Sequence, residues 1–183
     1  MFTEKQKRQL LQIARETLEY YLSGKQVPEI QISDPVLKEK RGAFVTLHNR
    51  GNLRGCIGMI TSQNPLYITI RNMAIESATA DPRFYPVTKE ELKHIDIEIS
   101  VLTVPHRVGS PDEIVLGRDG VIVKSGLSQG VFLPQVADET GWTKEEFLSI
   151  LCFQKAGLTL DAWKKPQTEL YIFQAEVFSE KKL

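Results

Sequence analysis

Gly42-Ala43-Phe44-Val45-Thr46-Leu47 and Leu53-Arg54-Gly55-Cys56-Ile57-Gly58, joined by His48-Asn49-Arg50-Gly51-Asn52, form the stretch from which the fold can be read. The first arm is rich in β-formers and residues 49–52 supply turn chemistry, so the second arm is expected to fold back on the first as an antiparallel partner. In an extended second arm, side chains alternate between faces. Arg54, Cys56 and Gly58 then share one side, and Leu53, Ile57 and Met59 share the other. One side packs and the other presents a guanidinium beside a thiol.

Upstream of this hairpin, Thr3 with Gln6 has the spacing of a capping box, and Leu10, Leu11, Ala14, Leu18 and Leu22 recur at helical spacing before Ser23-Gly24. Downstream, Asn64-Pro65 offers an N-cap followed by proline at the first helical position. The apolar pattern of this second helix runs through Leu66, Ile70, Met73, Ala74, Ser77 and Ala78 until Asp81-Pro82 stops it. Residues 88–93 predict a short helix. Ile95, Ile97, Ile99 and Val101 alternate with polar residues and predict a strand. A second hairpin is expected over 120–124 and 131–133, with Gly126 and Gly130 marking its turn. Thr143 with Glu146 opens a helix through Phe147, Leu148, Leu151 and Cys152 toward Gly157, and 169–178 reads as one closing strand. Interspersed helices and strands with two hairpins indicate an α+β fold, a mixed or mostly antiparallel sheet flanked by helices. Residues 1–183 contain no repeat or long linker, so one domain is expected, with 105–112 as the candidate hinge.

The chain has 183 residues, 42% hydrophobic and 25% charged, the balance of a globular protein able to bury about two-thirds of its unfolded surface. Lys plus Arg and Asp plus Glu both number 23, so no global field favours phosphate backbones, and nucleic acid is not an expected partner. No apolar run reaches the about 20 residues of a membrane span, and the first 22 residues resemble no signal peptide. A cytoplasmic location without membrane association is expected, with Cys56 and Cys152 as reduced thiols.

Cys56 is the candidate nucleophile, since a cation such as Arg54 two positions away on the same strand face lowers a thiol pKa. His48, on the partner strand, is the candidate base. Gly55 and Gly58 permit close approach of a ligand or another backbone. A structural reading stands beside this one: Cys56 as a buried thiol, the glycines as a bulge, Arg54 paired to a carboxylate. Asp81-Pro82-Arg83-Phe84-Tyr85-Pro86 displays one acid and one guanidinium on a stiff turn. Arg83 either pairs locally with Asp81 or holds an anionic group. Glu98 and Ser100 occupy the polar face of the 95–101 strand and line a cleft if that face is covered. The binding set is therefore Arg54, Gly55, Gly58, Asp81, Arg83, Glu98 and Ser100, with Arg54 and Arg83 expected to converge on a small anionic ligand. His48, His94 and His106 have no metal-ligand spacing, and Gly117, Gly120, Gly126 and Gly130 match no nucleotide fingerprint, so no metal or cofactor is assigned.

The intact run at 53–58 resembles the signature of the AMMECR family. Arg41-Gly42-Ala43-Phe44-Val45-Thr46-Leu47, Asp81-Pro82-Arg83-Phe84, Ile99-Ser100-Val101-Leu102, Phe132-Leu133-Pro134-Gln135-Val136 and Lys155-Ala156-Gly157-Leu158 agree in order. The length is similar to that of the compact prokaryotic members. The resemblance implies a two-lobed α+β fold, with both termini in the larger lobe and the signature near the cleft between lobes. It also implies association with a Memo-type protein and a radical S-adenosylmethionine enzyme. The family's biochemical activity is unsettled, so the resemblance carries over no catalytic residue. Two functions follow as expectations: a small-molecule pocket protein with Cys56-dependent chemistry linked to that system, or a non-catalytic ligand-binding or protein-interaction adaptor module.

Overall fold

The computed structural model describes residues 1–182. Helix α1 (Glu4–Leu22) starts at the expected box: Gln6 N–H donates to the Thr3 hydroxyl, and the Gln6 side chain accepts from Thr3 N–H. Strands β1 (Ala43–Asn49) and β2 (Asn52–Met59) form the hairpin, and Arg50 and Gly51 at its tip have φ of 52° and 87°. Two successive positive φ values match the twist of a two-residue hairpin turn. Helix α2 (Leu66–Thr79) begins one residue later than the Asn64 cap predicts. Asn64 does not cap it; Leu66 N–H is taken by the Glu39 carbonyl, and the Ser62 hydroxyl accepts from Asn64 N–H.

After a single 3-10 turn (Leu92–His94), β3 (Ile95–Leu102) pairs antiparallel with β1. Next come β4 (His106–Val108), β5 (Gly120–Ser125), β6 (Ser128–Phe132), α3 (Gln135–Thr140) and α4 (Lys144–Ile150). Helix α4 carries the expected Thr143–Glu146 box and then widens into a π-helical turn (Leu151–Lys155). Gly126 occupies the β5–β6 turn, but Gly130 lies within β6 opposite Val123, where a Cβ would meet Ala156 N at 2.8 Å. That glycine is selected by close packing, not by a turn.

The closing stretch is two strands. β7 (Glu169–Phe173) joins the sheet ordered β4-β7-β5-β6, and β8 (Ala175–Ser179) joins the sheet ordered β2-β1-β3-β8. One continuous apolar pattern thus serves two sheets, a division that periodicity cannot display. The fold is α+β, with two four-stranded sheets in place of one.

The chain divides into two compact units. The first comprises Met1–Leu102 and the segment from Glu176 onward; the second is Thr103–Ala175. The boundary falls at 102/103, so 105–112 lies inside the second unit, with 106–108 pairing to β7 as a strand. In the first unit, Leu10, Ala14 and Leu18 of α1 and Ile70, Met73 and Ala74 of α2 share one core with Val45, Leu47, Ile97 and Ile99. In the second, Phe147, Leu148 and Leu151 pack with Val121, Val123, Phe132 and Ile172.

Candidate functional site

Ala43, Val45 and Leu47 are buried and alternate with Phe44, Thr46 and His48, so the odd-numbered residues of β1 face the helices. Strand partners share a face, and pairing therefore assigns the faces of β2. Gly55 (opposite Leu47), Ile57 (opposite Val45) and Met59 (opposite Ala43) turn to the helices, while Cys56 (opposite Thr46) and Gly58 (opposite Phe44) turn away. Between Leu47 and His48 the register slips by one residue, leaving Arg54 without a partner in the ladder. Such a bulge reverses the alternation. Leu53, expected with Ile57 and Met59, instead pairs with His48 on the side of Cys56 and is exposed.

The bulge also re-aims Arg54. Its Nε and Nη2 donate to the Glu91 carboxylate at 2.9 and 3.1 Å, Nη1 to the Tyr85 carbonyl at 2.9 Å, and Nη2 to the Pro86 carbonyl at 3.4 Å. Glu91, which also accepts from Thr88 N–H, is held below its ordinary pKa chiefly by Arg54. The cation expected to act on Cys56 is thus engaged with the 85–91 segment.

Arg83 takes the place beside Cys56. β2 is an edge strand, and an exposed edge leaves backbone groups to be satisfied by something other than a strand. Asp81 and Arg83 supply both partners: Cys56 N–H donates to Asp81 Oδ2 at 2.8 Å, and Arg83 Nη2 donates to the Cys56 carbonyl at 3.3 Å. The two residues bind each other in a fork, Nε to Oδ1 at 2.9 Å and Nη2 to Oδ2 at 2.7 Å, with Asp81 buried. Arg83 holds the Asp81 carboxyl well below the usual carboxylate range even though burial opposes ionisation. The Arg83 pKa rises mainly through Asp81, and the adjacent Cys56 sulfur adds to the same effect. The thiol therefore faces an ion pair in which the guanidinium charge is already balanced. The Thr46 hydroxyl donates to Cys56 Sγ at 3.2 Å.

The spaces beside the two signature glycines are filled by the protein. A Cβ on Gly55 would strike the Ser77 carbonyl of α2, and one on Gly58 would strike the Phe44 ring. Ser77 fastens the same contact, since its hydroxyl accepts from Ile57 N–H at 2.9 Å and donates to the Val45 carbonyl at 2.7 Å. His48 Nε2 lies 4.0 Å from Glu98 Oε1. Glu98 and Ser100 stand opposite Thr46 and Phe44 on β3. The Arg54 and Arg83 guanidiniums meet at one aromatic ring, 5.9 and 5.6 Å from the Phe84 centroid, each with its own carboxylate. Depressions of about 880 Å³ along Lys5, Arg8 and Asp34 and about 490 Å³ along Arg107 and Trp163 do not include Cys56. Among the described residues, no group of three or more His, Cys, Asp or Glu is arranged to hold a metal ion.

Thr46, Ser77 and Glu91 are the engaged residues that the sequence reading passes over. Thr46 follows from hairpin register once the bulge is known, and Glu91 from its three-residue spacing to Thr88. Ser77 sits on the buried side of a helix and carries no signal of its own in the pattern.

The matches to known proteins cover this whole arrangement. The AMMECR1 family model matches residues 11–178. A protein of Methanothermobacter thermautotrophicus is 47% identical over 94% of this chain and 93% of its own, and the protein MJ0810 of Methanocaldococcus jannaschii is 45% identical over 91% and 86%. The crystal structure of the uncharacterized protein PH0010 from Pyrococcus horikoshii superposes with a TM-score of 0.80 at 44% identity, covering 94% of this chain and 90% of that one. With the family model spanning both compact units and the signature strand intact, this chain belongs to the AMMECR1 family.

Proposed function

We propose that this protein is a non-catalytic binding module in which the signature strand is a rigid platform, in preference to an enzyme using Cys56 as nucleophile. The observation that carries this reading is the Asp81–Arg83 clamp on the Cys56 main chain, which neutralises the cation nearest the thiol and ties the strand edge to the 81–86 turn. A nucleophilic thiol is normally activated by a base or an unbalanced positive charge. Here Arg54 is bound to Glu91, Arg83 to Asp81, and His48 stands by Glu98.

The platform presents Tyr85, 91% exposed, on a turn whose neighbours Arg54 and Arg83 are locked in place. Tyr and Arg are among the residue types that dominate protein-interaction hot spots. Within this reading the partner is a protein, and the Memo-type protein associated with the family is the first to test. An anionic small ligand held by Arg54 and Arg83 would have to displace both carboxylates.

The test has two arms. Alkylation of Cys56 as a function of pH is expected to give superimposable profiles for wild type and His48→Ala. A profile displaced by the substitution returns the thiol chemistry to first place. Tyr85→Ala is expected to weaken capture of the Memo-type protein without lowering the melting temperature, and Cys56→Ser to leave capture intact; the reverse pattern defeats the adaptor reading.

A further inference from the structure

In the second unit, β4 and the turn that follows it stand beside the 163–170 segment around a depression of about 490 Å³, within the range of small-molecule sites. It lies wholly within Thr103–Ala175, apart from the signature strand. Its walls combine apolar and cationic groups. Leu170 and Pro111 supply apolar surface, the Trp163 ring is fixed by its Nε1–H donating to the Ser149 hydroxyl at 3.1 Å, and Arg107 and Lys165 bring positive charge; a third cation, Lys164, lies 4.8 Å over one face of the Trp163 ring and is bound to Glu145 at 2.6 Å. Glu169 is the acidic group in the lining.

Arg107 is held by a partly exposed ion pair to Glu169 at 3.2 Å, and Lys165 by one to Asp161 at 3.3 Å together with an exposed hydrogen bond to the Thr159 hydroxyl at 3.1 Å. Pairs of this kind contribute little, so an incoming anion can take over either cation at small cost. Prolines at 111 and 166 stiffen both rims, so little ordering is needed on binding.

We propose that this depression is a binding site for a small molecule with a flat apolar body and one anionic group, the body against Trp163 and the anion on Arg107 and Lys165. Trp163 and the apolar walls select against a bare anion, and the two cations select against a neutral ring.

Phenyl phosphate serves as probe, titrated into the isotope-labelled intact chain and followed by amide and indole proton–nitrogen NMR. Saturable shifts in the millimolar range, confined to 107–111 and 163–170 and including the Trp163 indole, are expected. Arg107→Gln should weaken binding about tenfold, the effect of losing one charge-assisted contact, and Lys165→Gln should weaken it less. Lys25→Gln, a charge change in the other unit, should leave it unaltered. Absence of saturation, shifts spread beyond these segments, equal binding of inorganic phosphate, or unchanged affinity in both Arg107→Gln and Lys165→Gln overturns the proposal.

Discussion

At the scale of single residues, Asp81 is the group on which most of the site depends. Its carboxylate is buried and serves Arg83, the Cys56 N–H and the Arg83 N–H together. Because its folded pKa lies below the unfolded value of about 3.9, ionisation stabilises the fold above that pH, and the stabilisation is lost as pH falls toward the folded value. Asp81→Asn is expected to destabilise the protein by about 2 kcal/mol at neutral pH, the cost of a broken buried charge-assisted network. The gap between wild type and variant should narrow as pH drops below about 4, which urea melts at a series of pH values can check. The two cysteines should separate as sharply. Cys152 is fully buried and burial pushes its thiol pKa up, whereas Cys56 is half-buried at a strand edge. Peptide-resolved iodoacetamide labelling of the native protein should modify Cys56 first and reach Cys152 only on unfolding.

At the scale of elements, the β1–β2 hairpin and α2 form one welded piece. Gly55→Ala forces a methyl into the Ser77 carbonyl and should cost about 3 kcal/mol, the upper end of overpacking penalties, since two backbones must separate. Gly51→Ala meets no atom but must hold a φ of 87°, which should cost about 1 kcal/mol. Arg50→Asn, at the other positive-φ position, should stabilise the hairpin by about 0.5 kcal/mol. Denaturant midpoints of the three variants give the order directly. These elements were legible in the sequence where one local rule sufficed: the Thr3–Gln6 and Thr143–Glu146 capping boxes, the hairpin turn and the alternating β3 strand are present. The Asn64 cap failed because the start of α2 is set by Glu39, a residue distant in the chain that takes the Leu66 N–H. The bulge and the Arg54 ion pair belong to the structural reading of the signature, and the sequence could not place the slip at Arg54, because a one-residue shift leaves no trace in composition yet moves Leu53 to the other face.

At the scale of the whole molecule, the two cores share no residue, and both tryptophans, Trp142 and Trp163, belong to the second. The long helices α1 and α2, which dominate far-ultraviolet ellipticity, belong to the first. Leu151→Ala, in the second core, should cost about 3 kcal/mol. It is expected to move the tryptophan fluorescence transition to lower urea while the ellipticity keeps a later one; coincident transitions would show that the units unfold as one. The sequence by itself determined the α+β class, the hairpin, the capped helices and the family signature, because capping, turn geometry and period-two alternation act between residues a few positions apart. Tertiary structure alone decided that 169–178 serves two sheets, that Arg83 and not Arg54 stands at Cys56, and that the space at Gly55 and Gly58 is filled from within. Those outcomes depend on which distant groups satisfy an edge strand and which side chain fills a gap. Hydrogen-bond satisfaction and close packing are settled in three dimensions, and spacing along the chain does not encode them.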